Sequence, residues 1–123
     1  MPDLSASKFH TQGYTIASTS ADASATTVYT CPNNFGSVVR YLHLSNNSPS
    51  TKKVYVQFYH ADDGEYHYIA NGLSMSGHSV ANLVNGGYFN LHAGDKILVY
   101  GETTNTIEAI VSCEEYFNPT HGT

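Results

Sequence analysis

The sequence has no tryptophan and little charge: Lys, Arg, Asp and Glu make up 12% of its 123 residues, against a usual ~25%. Five residues are Lys or Arg, and only Lys52 and Lys53 adjoin. With a net charge of −5, the chain lacks the clustered cations that displace counterions from a phosphate backbone, which excludes nucleic acid as a partner. No apolar run approaches the ~20 residues that span a bilayer as a helix, so no membrane partner is expected. Met1-Pro2-Asp3 opens without the basic and apolar regions of a signal peptide, and synthesis in the cytoplasm is the expectation. Cys31 and Cys113 are too few for a zinc site and too far apart for a redox CxxC pair. Two buried thiols are expected, with a single disulfide as the alternative.

Catalytic signatures are missing as well. Gly72-Leu73-Ser74-Met75-Ser76-Gly77 is one residue out of the G-x-S-x-G nucleophile elbow. Glu114 and Glu115 adjoin in a strand pattern and point to opposite faces, so they cannot act as a pair. No Gly-rich loop precedes a helix, which leaves phosphate binding without support. The expectation is a chain that is not an enzyme and holds no cofactor.

What is present is β-sheet patterning around residues 38–69, where three runs of β-branched and aromatic residues are separated by two turn signals. In residues 38–44 alternation puts Val38, Leu42 and Leu44 on one face and Val39, Tyr41 and His43 on the other. Asn46-Asn47-Ser48-Pro49-Ser50 is loop composition. Residues 54–60 place Val54, Val56 and Phe58 inward and Tyr55, Gln57 and Tyr59 outward. Asp62-Asp63-Gly64 is a tight turn, and residues 65–70 form the next strand. Together these read as a three-stranded antiparallel meander. Asn71-Gly72 then reads as a turn, and residues 71–77 as a flexible loop.

The rest of the chain repeats the pattern. Strands are expected at residues 26–31, 78–84, 88–91, 96–100 and 106–117, with turns at Pro32-Asn33-Asn34, Asn85-Gly86-Gly87 and His92-Ala93-Gly94-Asp95. No window shows a 3.6-residue apolar period. About eight short strands with turns between them indicate an all-β, two-sheet antiparallel β-sandwich, jelly-roll or Ig-like. Residues 1–25 read as an extended N-terminal arm. Residues 9–16 have the pattern of a short strand, and the Ser/Ala/Thr tract after it is too poor in large apolar groups to build a core element. Residues 26–117 read as the sandwich domain and residues 118–123 as a C-terminal tail.

Seven histidines are many for this length. His43, His60 and His67 fall on the three strands of the expected meander, with Asp62, Asp63 and Glu65 nearby. Imidazoles and carboxylates in one place are divalent-metal ligands, but His60 falls on the apolar face of its strand, so no metal site is assigned. The ten tyrosines say more, because tyrosine combines large contact area with a polar tip. Tyr41, Tyr55, Tyr59, Tyr66 and Tyr68 are the candidate interface on the outward faces. Tyr14 and Ile16 are the candidate anchors of the arm on a neighbouring subunit.

A surface rich in Ser, Thr, Asn and Tyr looks extracellular, whereas the N-terminus looks cytoplasmic. A virus-particle protein, made in the host cytoplasm and released by lysis, satisfies both. The segments Tyr29-Thr30-Cys31-Pro32, Tyr41-Leu42-His43-Leu44-Ser45-Asn46 and Leu91-His92-Ala93-Gly94-Asp95-Lys96-Ile97, with residues 108–115, resemble a group of small tailed-bacteriophage virion proteins of β-sandwich type. The likeness spans residues 26–117. It implies a non-enzymatic structural role in the virion, as a capsid decoration or cement protein that stabilises the shell. The alternatives are a neck- or tail-associated protein, or a lectin-like receptor- or glycan-binding module using loops 46–50 and 71–77. The implied partners are copies of itself, a trimer by the usual closure of symmetric modules, and other virion proteins such as the major capsid or tail proteins.

Overall fold

The computed structural model describes residues 8–84 and 86–119. Nine strands lie among them: β1 (Lys8–Ile16), β2 (Thr26–Thr30), β3 (Phe35–Asn46), β4 (Lys52–His60), β5 (Glu65–Met75), β6 (Val80–Asn82), β7 (Phe89–Leu91), β8 (Lys96–Gly101) and β9 (Ile107–Phe117). They form two antiparallel sheets. The first has the order β1-β9-β3-β6, with β7 also on β3, and the second has the order β2-β8-β4-β5. This is the arrangement of a jelly roll, with the strand beside β3 split into β6 and β7.

The core lies between the sheets and follows from alternation. On β9, Ile107, Ala109, Val111 and Cys113 are buried, as their period of two requires. Val54 and Val56 of β4 and Ile97 and Val99 of β8 meet them from the second sheet. Each buried Val or Ile among them contributes ~1.5–3 kcal/mol on leaving water.

Four expectations are corrected. The meander is split, because β3 belongs to one sheet and the β4–β5 hairpin to the other. Asn46 causes the break. It is wholly buried, and its Nδ2 donates to the carbonyls of Ser50, Met75 and Ser76 at 2.8, 3.0 and 3.2 Å, which turns the chain from one sheet to the other. The faces of β3 are also exchanged. A register shift between Val39 and Tyr41 leaves Arg40 as an extra residue, so Val39 joins Leu42 and Leu44 in the core while Val38 turns outward opposite Glu114.

Asn71-Gly72 is not a turn but part of β5. The register on β4 skips Gly72 and Ile69, so β5 carries two bulges, and Gly72 adopts the positive φ of 81° that a bulge demands.

The fourth correction concerns residues 8–25. β1 is an edge strand paired along its whole length with β9 of the same chain, and Ile16 lies in the core. Residues 17–25 then cross the outer side of the second sheet, where Ala21 and Ala25 pack on Leu98, Tyr100, Tyr55 and Tyr59. Small side chains let the backbone lie close against those rings. Gln57 does face outward, as expected, and is buried there beneath this segment. It is clamped by Asp22, whose N–H donates to Oε1 and whose Oδ1 accepts from Nε2, both at 2.9 Å. Residues 1–7 of the expected arm, Asn85 of the expected turn and residues 120–123 of the expected tail lie outside the described residues.

Candidate functional site

The outer face of the second sheet carries most of the tyrosines singled out from the sequence, and they are fixed in place. Tyr55 stacks on Tyr100 with ring centroids 4.5 Å apart and planes 3° from parallel. Tyr68 and Tyr100 share a 2.6 Å hydroxyl–hydroxyl hydrogen bond. Tyr59 lies 4.8 Å from Tyr66, and the Lys96 ammonium sits over the Tyr59 ring at 5.3 Å. Burial, and then the bond to Tyr68, push the Tyr100 hydroxyl above the usual tyrosine range. Tyr100 is buried, and Tyr55 and Tyr59 lie against Ala21 and Ala25, so on this face Tyr68 is the ring left exposed, held by its bond to Tyr100 with little rotamer entropy left to lose.

The remaining candidates are placed differently. Tyr41 is exposed on the outer face of the first sheet, stacked on His43 at 5.6 Å. Tyr14 packs partly against the core and donates to Oε1 of Gln12 at 2.7 Å. Ile16 is inside its own core and is not available as an anchor on a neighbour.

The lectin-like alternative places its site on loops 46–50 and 71–77. Residues 71–75 are strand, but the other parts do meet: the N–H of His78 donates to the Ser48 carbonyl at 3.0 Å. Gly77 lies so close to Pro49 that a Cβ there would overlap the Pro49 backbone carbonyl. This corner is a packed junction rather than a flexible loop.

His43 is on the first sheet, apart from His60 and His67 on the second, so the three histidines do not assemble. Asp63, Glu65 and His67 bring ligand atoms within 4.8 Å of one another, all exposed. The Asp63 carboxylate is already occupied: Oδ1 accepts the Glu65 N–H at 3.0 Å, and Oδ2 pairs with His60 Nδ1 at 3.2 Å. That bond raises the His60 pKa above the ordinary value.

The two sides of the sandwich open differently. Beside β5 and β7 is a cleft of about 260 Å³, lined mainly by Phe58, Ile69, Phe89, Leu91 and Ile97 with His67 at its rim. Beside β1 and β2 is a polar cleft of about 210 Å³, bordered by His10, Tyr29, Cys113 and Glu115. Here the sequence reading missed an inward carboxylate. Glu115 is buried, accepts the Tyr29 hydroxyl proton at 2.6 Å and pairs with His10 Nε2 at 3.0 Å. Its place in the alternation of β9, in step with Cys113, was the available signal. Both cysteines are free and buried. Burial first, then the charge of Glu115, pushes the Cys31 thiol up to about 12, which makes it inert as a nucleophile at neutral pH.

No protein-family model matches the sequence, and no curated protein matches it. Among solved structures, a protein of Bacillus endospore appendages, which form a family of disulfide-linked pili, is similar with a TM-score of 0.52 at 13% identity, covering 91% of this chain and 87% of that one. The protein of infectious bursal virus-derived T=1 particles is similar with a TM-score of 0.50 at 10% identity, covering 94% of this chain and 32% of the viral one. The present chain thus spans about a third of that viral protein's length. At these identities the likeness defines the class by fold: a two-sheet antiparallel β-sandwich, shared with proteins of a bacterial pilus and a viral particle.

Proposed function

We propose that this chain is a non-enzymatic structural subunit of a tailed-phage virion, a decoration or cement protein that stabilises the capsid shell through contacts with copies of itself and with the major capsid protein. The observation that carries the reading is the pair of long strands left with one neighbour each, β1 at one sheet edge and β5 at another. Free strand edges are templates for adding another chain. On β5 itself Tyr68 is exposed and held in place by its bond to Tyr100. That two assembly proteins share the fold agrees with this role, as does the phage-like sequence frame.

The test is the particle itself. Mass spectrometry of purified virions should find the chain at a copy number tied to the shell, and particles lacking it should lose their genome at lower temperature. A copy number of a dozen or fewer would move the role to the neck or tail, as judged by capsid symmetry. Absence from particles, together with saturable binding to glycans competed by free sugar, would overturn the reading in favour of a lectin-like module.

A further inference from the structure

We infer that the specific self-contact is a twofold, antiparallel pairing of β5 with β5 of a second copy, joining two four-stranded sheets into one of eight. The inference rests on the assembly role proposed above and names its interface.

β5 pairs with β4 and no other strand among the described residues. The remaining strands at sheet edges are β2, of five residues, β6 and β7, of three each, and β1. Short edges are protected by their length. β5 spans 11 residues, and neither proline, lysine nor arginine interrupts it. Its bulges at Ile69 and Gly72 leave regular stretches at its two ends. A twofold axis near Ala70 lays residues 65–67 of one copy along residues 73–75 of the other, twice over, with the bulged centres facing each other.

Charge selects this edge and this direction. The turn end of the β4–β5 hairpin carries Asp62, Asp63 and Glu65, and its open end carries Lys52 and Lys53, opposite Met75 and Ser74. Neither lysine makes an ion pair among the described residues, and neither does Glu65. Antiparallel pairing sets each acidic end against the partner's basic end, across two strand spacings, or about 10 Å of backbone, within reach of extended Lys and Glu side chains. Parallel pairing would set acid on acid. For a chain of net charge −5 this complementarity offsets the general self-repulsion. β1 offers one Lys or Arg, Lys8, and that ammonium already lies over the Phe35 ring. The apolar cleft of Phe58, Ile69, Phe89 and Leu91 borders β5, and Tyr68, 44% exposed, stands beside it for the partner to cover.

The experiment is hydrogen exchange of the full chain, read by mass spectrometry at low and high protein concentration, beside sedimentation velocity. Amides of residues 65–67 and 73–75 should gain protection as a dimer forms, and salt should weaken the dimer. K52E/K53E should raise the dimer dissociation constant by about tenfold or more, since opposed like charges suppress an interface. D62K/E65K should do the same, and the four substitutions together should restore pairing. All four positions are on the surface, and an unchanged melting temperature verifies folding. A monomer at every concentration overturns the inference. So does a dimer or trimer whose β5 amides exchange unchanged, although the assembly role then stands. So does a charge-swapped variant that fails to re-pair. The particle assay judges the assembly role separately.

Discussion

The hydroxyl of Tyr29 on β2 donates to the carboxylate of Glu115 on β9 across 2.6 Å, a single bond that ties one sheet to the other at the polar side of the sandwich. Glu115 is 6% exposed, so its carboxylate oxygens find their partners in Tyr29 and His10 rather than in water. Tyr29→Phe should lower stability by ~1–3 kcal/mol, the cost of leaving a buried acceptor short of a donor. Chemical denaturation measures it. Burial, and then the bond to Glu115, raise the Tyr29 pKa above the tyrosine range, so this residue should stay protonated in an alkaline absorbance titration while exposed tyrosines ionise.

Asn46 should be the most sensitive polar position outside that cleft. Its side chain holds three carbonyls and accepts the Ser48 N–H at 3.0 Å. Asn46→Leu fills similar volume and satisfies none of them, with an expected loss of ~2–4 kcal/mol. Gly77→Ala should destabilise the same corner by ~1–3 kcal/mol through overlap with Pro49. Were either variant to melt like the parent, the corner would not be the packed junction described.

His60 and Asp63 give a pH signature. The hydrogen bond that His60 donates to Asp63 raises the His60 pKa above 6.5. For Asp63, desolvation opposes the charge, but the bonds from His60 and from the Glu65 N–H outweigh it and lower its pKa below 3.8. A raised histidine stabilises below its unfolded pKa and loses that contribution as pH rises through its folded value. A lowered carboxylate stabilises above its unfolded pKa and loses that contribution as pH falls through its folded value. The pair is therefore intact between the two folded values. An NMR titration should find His60 above the ordinary histidine value, and Asp63→Asn should bring it down. An unchanged midpoint in that variant would refute the pairing.

Deleting residues 1–17 removes β1 and its ladder with β9, along with Ile16 from the core. Ile16→Ala alone should cost ~2–5 kcal/mol, a large part of the ~5–15 kcal/mol that holds a domain of this size together. The truncated chain should lose its cooperative thermal transition. A truncation that melts normally and only assembles poorly would restore the reading of residues 1–25 as an arm.

The sequence by itself determined the all-β class, the strand over residues 106–117 and the Asp62-Asp63-Gly64 turn, because a period of two and the turn residues act over a few positions. It also identified the tyrosines that crowd the outer faces. Contacts between distant segments decided the rest. A bulge at Arg40 inverts the face of Val38 and Val39, and alternation has no means of announcing an extra residue whose effect depends on the partner strand. Gln57 reads as an outward polar residue and is buried, because Asp22 arrives from 35 positions away. Ile16 reads as a tether and lies in the core, because β1 finds its partner at the far end of the chain. Local pattern specifies which residues can share a face. Whether that face meets water, a second sheet or a strap of alanines depends on where the rest of the chain closes, and that is settled only in the packed fold.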